Sequence, residues 1–549
     1  MANTPERAAK DNNRYILAFS LMLIAAFIQC YRTVHDLHWA SEPDFDRDIA
    51  YIRSLLDGNY GKDPNMAGQY MWYNPMIFWF ETMVVKITGL PINIAVARAG
   101  AFLNLINPIV FFIVMVRLFD VKVALASVLS FLFLVSGDLP CWGAATYSPW
   151  LISDTFVQFL FYINILLCYK AFSTQRMRWF ILLGAGLGIS FLGHSAPTIV
   201  VILILIVMQG QKVIRAVMNK QYPAIAIYFL QGFITLVPFI ICAFPFLYYV
   251  YGKYHFHFIN RVILQCAPGI FARKETFNLL KLNVTFSLLI SVIGIVWFYK
   301  KFENPVLKKI IWSWFFITLV MYAYESIVPT ADKMFHISLP DTIPAFHYFF
   351  YLKALQAIFF GFGFLYLFNL FFHWLEGRAK GVFTPRFSGT LLMFCILLYA
   401  TIYFPIYKNR DDFSVLRRQS IEKENEADKI DVYNFVSKHV PLNNVLLCAH
   451  GLSLFPVMTT AIKMVSIETY FSNPYVSYDQ REHDRVEMMQ YLTTGEPTSA
   501  QNLFPEYKVN DVLLSNQDFA KYKQPPFASS KVIFRDSSFT ILSFAEKMN

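Results

Sequence analysis

The chain has 549 residues, 56% of them hydrophobic and 18% aromatic, with only 15% charged. A soluble globular protein of this size has no use for that much apolar surface, so most of it must face lipid or neighbouring helices. The formal net charge of +10 would suggest nucleic acid in a soluble protein, but no nucleic-acid-binding motif accompanies it, and loop lysines and arginines that set membrane topology account for it.

Residues 1–14 are polar and basic, and 15–31 form the first apolar run. No small-x-small cleavage site follows, which predicts an uncleaved anchor. The segment Glu42-Pro-Asp-Phe-Asp-Arg-Asp48 comes next, then Arg53, Asp57 and the turn Asp57-Gly58-Asn59. Carboxylates gathered at a membrane surface repel one another unless they hold a cation, a cationic partner or a proton in transit. On a helix Asp44 and Asp48 share a face, one turn apart, while Asp46 points elsewhere. A carboxylate at a partly dry surface makes a good general base, because burial lifts its pKa toward neutrality. The plainer alternative is a solvated loop quieted by Arg47.

The 71–90 stretch is apolar but carries Pro75, Glu81 and Lys86, the pattern of helices lying in the membrane interface. Further apolar runs lie near 92–116, 123–137, 151–169, 179–193, 196–210, 222–250, 283–299, 310–324, 345–372 and 389–407. With the first run they predict about eleven spans, at roughly 17–25 residues each. The loop after 123–137 holds Asp138 and is followed by Tyr147-Ser148-Pro149-Trp150 and Asp154. Asp138 would complete a divalent-cation site with Asp44 or Asp46, since hard cations want several oxygens, or simply end a helix. The metal stays unassigned. His194, in Gly193-His194-Ser195-Ala196-Pro197, is a candidate phosphate or metal ligand, or a helix cap.

Arg261, Arg273 and Lys274 lie in the 251–282 loop, and His336, His347 and Lys353 flank a later one. Lys353 within an apolar run needs a partner, a polar cavity or room to snorkel. A lipid-linked phosphate would satisfy these cations through charge-assisted hydrogen bonds. The seven cysteines show no CxxC and no metal-ligand spacing; Cys141, Cys266 and Cys448 face an oxidising compartment. Lysines and arginines are denser in the loops on the N-terminal side, which predicts a cytoplasmic N-terminus and, with an odd number of spans, an extracytoplasmic C-terminus.

After Tyr407 the composition turns polar, with a helix-like stretch Ser420–His439 and the strand-like runs VLLCAHG, MVSIETYF, DVLLSN, KVIFRD and FTILSF. The pair VIFRDSSFTILSF reads as a hairpin turning at Asp536-Ser537. The predicted architecture is an α-helical polytopic membrane module over 1–407, with its first outer loop over 32–91, and a soluble α/β domain over 408–549. No internal repeat is evident.

Asp44-Phe45-Asp46-Arg47-Asp48 followed by Tyr70-Met71-Trp72-Tyr73-Asn74-Pro75 resembles the GT-C superfamily of integral-membrane glycosyltransferases. The resemblance implies many spans, a first-loop acid acting as base on the acceptor hydroxyl, and basic residues of later loops holding the phosphate of a polyprenyl carrier. The base carries over to Asp44, with Asp46 as the alternative; the phosphate ligands match Arg261, Arg273, Lys274, His347 or Lys353 only loosely. In the tail, Ile467-Glu468-Thr469-Tyr470-Phe471-Ser472-Asn473-Pro474, with Asp479, Arg481 and EHDRVEMMQYL, is similar to the C-terminal region of galactan-priming arabinofuranosyltransferases, which take a pentose from a polyprenyl phosphate. This likeness makes Tyr470 and Asn473 acceptor-side candidates, with Asp138 and His194 as auxiliaries.

The expected activity is transfer of a sugar from a polyprenyl-phosphate donor to a glycan or glycolipid acceptor in a bacterial inner membrane. A lipid phosphate is a fair leaving group, so no cofactor is required, and a divalent metal stays open. The alternatives are a flippase for a lipid-linked sugar and a non-catalytic member of an envelope assembly complex.

Overall fold

The computed structural model describes residues 5–135, 139, 143, 145–260, 273–337, 343–378, 385–468, 471–495, 500–525 and 528–546. Its helices run in chain order as α1 (Pro5–Val34), α2 (Pro43–Leu56), α3 (Met76–Thr88), α4 (Ile92–Leu103), α5 (Ile106–Leu118), α6 (Val121–Phe133), α7 (Ser153–Phe156), α8 (Gln158–Thr174), α9 (Met177–Gly193) and α10 (Ser195–Met218). They continue as α11 (Tyr222–Val250), α12 (Arg273–Leu282), α13 (Phe286–Lys301), α14 (Pro305–Tyr322), α15 (Tyr324–Phe335), α16 (Phe346–Arg378), α17 (Pro385–Lys408), α18 (Asp411–Glu424) and α19 (Ala427–His439).

Among the described residues, eight helical segments are long and apolar enough to cross a membrane. The sequence runs near 123–137, 179–193 and 283–299 instead form helices of 13, 17 and 16 residues. At ~1.5 Å rise per residue these reach only ~20–25 Å, short of a ~30 Å hydrocarbon core. The spans leave large apolar side chains on the outside. On α11, for example, Phe229, Phe233, Ile241 and Phe244 are all exposed. In water that surface would be prohibitive, and in lipid it is the expected coat of a multi-pass membrane protein.

The first loop folds because its sequence both starts a helix and gives it an apolar face. Pro43 opens α2, Asp44 and Asp46 sit in its first turn and Arg53 in its last, each charge matched to the nearer end of the helix dipole. Phe45, Ile49 and Ile52 then bury one face. The helix expected in 71–90 is α3, ended by Gly89 in the left-handed region.

The tail forms a five-stranded sheet from β1 (Val445–Cys448), β2 (Lys463–Met464), β3 (Val509–Ser515), β4 (Ala528–Arg535) and β5 (Phe539–Glu546), in the order β2-β1-β3-β5-β4. β1 is parallel to β2 and β3, while β5 runs antiparallel to β3 and β4. Helices α20 (Tyr478–Thr494), α21 (Ala500–Tyr507) and α22 (Asn516–Phe519) lie between the strands in sequence. The β4–β5 hairpin turns where the sequence placed it, with Asp536 Oδ1 accepting the backbone N–H of Ser538 at 2.7 Å and of Phe539 at 2.6 Å.

Two expectations change. The helix-like stretch Ser420–His439 divides at Asn425, between α18 and α19. The strand expected in MVSIETYF stops after Met464. Beyond it the Val465 carbonyl accepts from Arg481 Nη1 at 3.0 Å, and the Glu468 N–H donates to Ser453 Oγ at 3.2 Å. Side chains have taken the bonds a neighbouring strand would have made.

The tail is bolted to the first loop. Asn65 Nδ2 donates to the carbonyls of Met458 and Ile462 at 3.0 and 3.1 Å. Lys463 Nζ reaches the carbonyls of Asp63 and Pro64 at 2.9 and 2.7 Å. Lys423 Nζ meets Asp46 Oδ1 at 2.6 Å. A third strip joins them, since the backbone N–H groups of Ile259 and Asn260 both lie 3.0 Å from the Pro474 carbonyl.

Candidate active site

Loop, tail and three spans enclose a cavity of about 410 Å³. Asp44 and Arg47 of α2 form its charged end, and Trp72, Tyr73 and Asn74 a second side. His194, His347, Phe471, Pro474 and Tyr475 also line it. Apolar side chains of α10, α11 and the region before α16, such as Ile199, Phe246, Val250 and Ile343, complete the wall.

Arg47 organises the charged end. Its Nη1 lies 2.5 Å from Asp44 Oδ1, while Nε and Nη2 donate to Asp48 Oδ1 at 2.9 and 2.7 Å. The guanidinium stacks over Tyr73 at 3.8 Å from the ring centroid, and Tyr73 is itself fixed by a 3.1 Å hydrogen bond with Ser153 Oγ. Arg47 is buried, but the Asp44 side chain stays 30% exposed. Asp44 is thus aimed at the cavity by a cation that cannot move.

Asp48 and Glu81 lie behind this pair. Asp48 Oδ2 and both Glu81 carboxylate oxygens are buried without a hydrogen-bond partner. Burial pushes both carboxyls up from their ordinary range, most strongly for Glu81, and each is raised further by neighbouring carboxylates. Burial and the neighbouring Asp48 carboxylate both favour the neutral form of Glu81.

The histidines stand on other elements. His194 precedes α10 and His347 sits in the first turn of α16, with ring centroids 4.6 Å apart. His194 Nδ1 accepts the Ala196 N–H at 3.2 Å, and burial lowers its pKa well below the usual range. The neutral ring therefore carries its proton on Nε2, as a donor. His347 Nδ1 lies 3.0 Å from the Pro344 carbonyl, which can only accept, and its Nε2 is 3.6 Å from Asp154 Oδ2. His194 accordingly caps α10, as one of its expected roles had it, and also lines the cavity.

The other candidates scatter. Asp46 is buried in its ion pair with Lys423 and does not line the cavity. Lys353 is buried on α16, donates to Asn283 Oδ1 at 2.6 Å, and does not line it either. Asn473 is a knot rather than a wall: its Nδ2 reaches Asp63 Oδ2 at 3.1 Å and Tyr254 Oη at 3.0 Å. That knot sets Tyr475, stacked on Tyr254 with centroids 4.2 Å apart, at the cavity rim. Arg261, Asp138 and Tyr470 lie outside the described residues, as do the side chains of Arg273 and Lys274 at the head of α12. No group of three or more His, Cys, Asp or Glu able to hold a metal ion occurs among the described residues. Cys448, one of the cysteines assigned to an oxidising compartment, is a free buried thiol; Cys141 and Cys266 fall outside the described residues.

Sequence reasoning treated Arg47 as a charge that merely quiets the loop. Its central place was signalled only by spacing, three residues after Asp44 and one before Asp48, on a face shared with aromatic residues.

No family model matches the sequence, and no curated protein matches it. Solved structures do resemble it in fold. ArnT from Cupriavidus metallidurans in the apo state aligns with TM-score 0.54 at 12% identity, covering 95% of this chain and 97% of that one. The same protein bound to undecaprenyl phosphate aligns with TM-score 0.52 over the same shares. An Archaeoglobus fulgidus oligosaccharyltransferase tethered to an acceptor peptide aligns with TM-score 0.53 at 11% identity, covering 96% of this chain and 74% of that one. The chain shares its fold with these two proteins, ArnT and the archaeal oligosaccharyltransferase.

Proposed function

We propose that this chain is an inverting glycosyltransferase that moves a sugar from a polyprenyl-phosphate carrier to a glycan or glycolipid acceptor. One observation carries the reading: a carboxylate pinned by a buried arginine faces a cavity whose remaining walls are largely apolar. That pairing suits an amphiphile with a reactive polar head and a hydrocarbon tail.

Asp44 takes the proton from the acceptor hydroxyl, and the hydroxyl oxygen attacks the anomeric carbon. The bond from that carbon to the phosphate oxygen breaks, and the lipid phosphate leaves with the electron pair. In-line displacement needs base and leaving group on opposite faces of the sugar. Arg47, bonded to Asp44 itself, therefore positions the base instead of holding the phosphate. The phosphate falls to the wall of His194 and His347.

The undecaprenyl phosphate bound by ArnT is the kind of carrier meant, and the tail likeness favours a pentose such as arabinofuranose. The loop charges favour the extracytoplasmic face, and the tail likeness favours a bacterial inner membrane. The test is to incubate the purified protein in nanodiscs with polyprenyl phosphates carrying labelled pentoses or hexoses, and a membrane glycan extract. Label moving to the glycan with inverted anomeric configuration is expected. Labelled lipid crossing the bilayer of sealed proteoliposomes without transfer would replace the enzyme with a flippase.

A further inference from the structure

A second hollow, of about 1090 Å³, lies where the first loop meets the tail sheet. It is bounded by Ala67 and Gly68 on one side and by the starting ends of β1 and β3 on the other. Its chemistry differs from that of the central cavity. Three carboxamides, Asn443, Asn444 and Asn510, line it together with the Tyr507 and Phe544 rings and the Arg481 guanidinium.

These groups are already oriented. Asn444 Nδ2 donates to Asp511 Oδ2 at 2.7 Å, and Asn510 Oδ1 accepts the Val445 N–H at 2.9 Å. Each amide spends part of its capacity on the fold, leaving the side-chain Oδ1 of Asn444 and Nδ2 of Asn510 for a ligand. Arg481 is held by the Val465 carbonyl and lies 5.4 Å from the Tyr507 ring centroid, while Tyr507 Oη donates to Asp484 Oδ2 at 2.6 Å. Fixed carboxamides beside aromatic rings match the vicinal hydroxyls and C–H faces of a sugar. Cations and anions are mixed here, with Arg481 and Lys508 against Glu506, so the lining does not select a polyanion. The nearby edge of β2 offers no free ladder to a peptide, because the Met464 N–H is taken by the Asn65 carbonyl at 2.7 Å.

The hollow and the central cavity are neighbours along one strip of chain. Gly68 lines the first and Trp72 the second. Four residues of extended chain span at most ~14 Å, within reach of one oligosaccharide.

We propose that this groove is a second carbohydrate site, which holds a non-reacting part of a neutral oligosaccharide while its end enters the central cavity. As an acceptor subsite it rests on the glycosyltransferase reading; as a carbohydrate site it stands alone. Ala67→Trp would fill the groove, and Asn443→Leu would remove a carboxamide from its rim. Both positions are solvent-exposed, and an unchanged melting temperature checks that each variant folds.

The probe is a panel of neutral oligosaccharides of increasing length, with mixed peptides as comparison, titrated against the full-length protein in nanodiscs. Wild type should bind the longer oligosaccharides and Ala67→Trp should lose about tenfold in affinity, near 1.4 kcal/mol. In the transfer assay the same variant should raise KM for long acceptors by a similar factor and leave kcat, and short acceptors, unchanged. Absence of oligosaccharide binding by wild type, binding by both variants as tight as that of wild type, or binding of peptides instead would overturn the groove. Binding lost in the variant, with no sugar transfer by wild type from any donor, would leave the carbohydrate site standing and sink the transferase reading.

Discussion

Asp44 and Asp46 are two residues apart and meet opposite environments. The helical period turns them to different faces, so one enters the cavity and the other is buried against Lys423 at 2.6 Å. Burial raises the Asp46 carboxyl and the ammonium opposes that shift, so the pair is a structural bolt between loop and tail. Removing one partner strands a buried charge, and Asp46→Asn should therefore cost about 3–5 kcal/mol, read as a lower melting temperature. An Asp46→Leu, Lys423→Met double variant should recover most of that loss. The split of the two acids was legible from spacing alone. Lys423 was not, because it lies 377 residues away and no local pattern announces it.

Glu81 gives a pH test at the same scale. Its folded pKa is raised above the unfolded carboxyl value of about 4.3. The unfolded chain therefore releases this proton first, so the stability Glu81 contributes is complete below that value. It is lost as pH rises toward the folded pKa. Glu81→Gln keeps the neutral form at every pH, and melting temperatures across the acidic to neutral range should fall less steeply than in wild type. An unchanged slope would mean that Glu81 is ionised in the folded protein.

Among elements, the crossing of α13 and α16 depends on two glycines. A Cβ on Gly294 would collide with the Phe359 carbonyl, and one on Gly363 with that of Ile290. Small residues let membrane helices approach closely where lipid provides no hydrophobic drive between them. Gly294→Val should separate the pair and cost roughly 1–3 kcal/mol, seen as reduced melting temperature and reduced extractable folded protein. Most helices were readable as apolar runs, and the terminal hairpin as two alternating segments around Asp536. The short β2 was not readable, since MVSIETYF has the composition of a strand but gives its backbone bonds to Arg481 and Ser453. The number of spans was not legible for a related reason. A buried apolar helix and a membrane span have the same composition, and α6 has its apolar positions packed inside the protein.

In the whole molecule, the site exists only where distant segments converge. Asp44 comes from the first loop, His194 and His347 from two helix starts, and Tyr475 from the tail, held by Asn473 on Asp63 and Tyr254. Sequence reasoning reached Asp44, His194 and His347 individually, through residue type and position near predicted helix ends. It could not show that the histidines stack on each other, or that Arg47 joins Asp44 to Asp48. Those relations are set by packing between elements, which no window of sequence contains. The measurement that tests the account most directly compares wild type with Asp44→Asn in nanodiscs, following donor binding and sugar transfer on the same samples. The account predicts that the variant binds the polyprenyl-phosphate donor as wild type does and transfers no sugar. Transfer at the wild-type rate by Asp44→Asn would contradict it and remove Asp44 as the base.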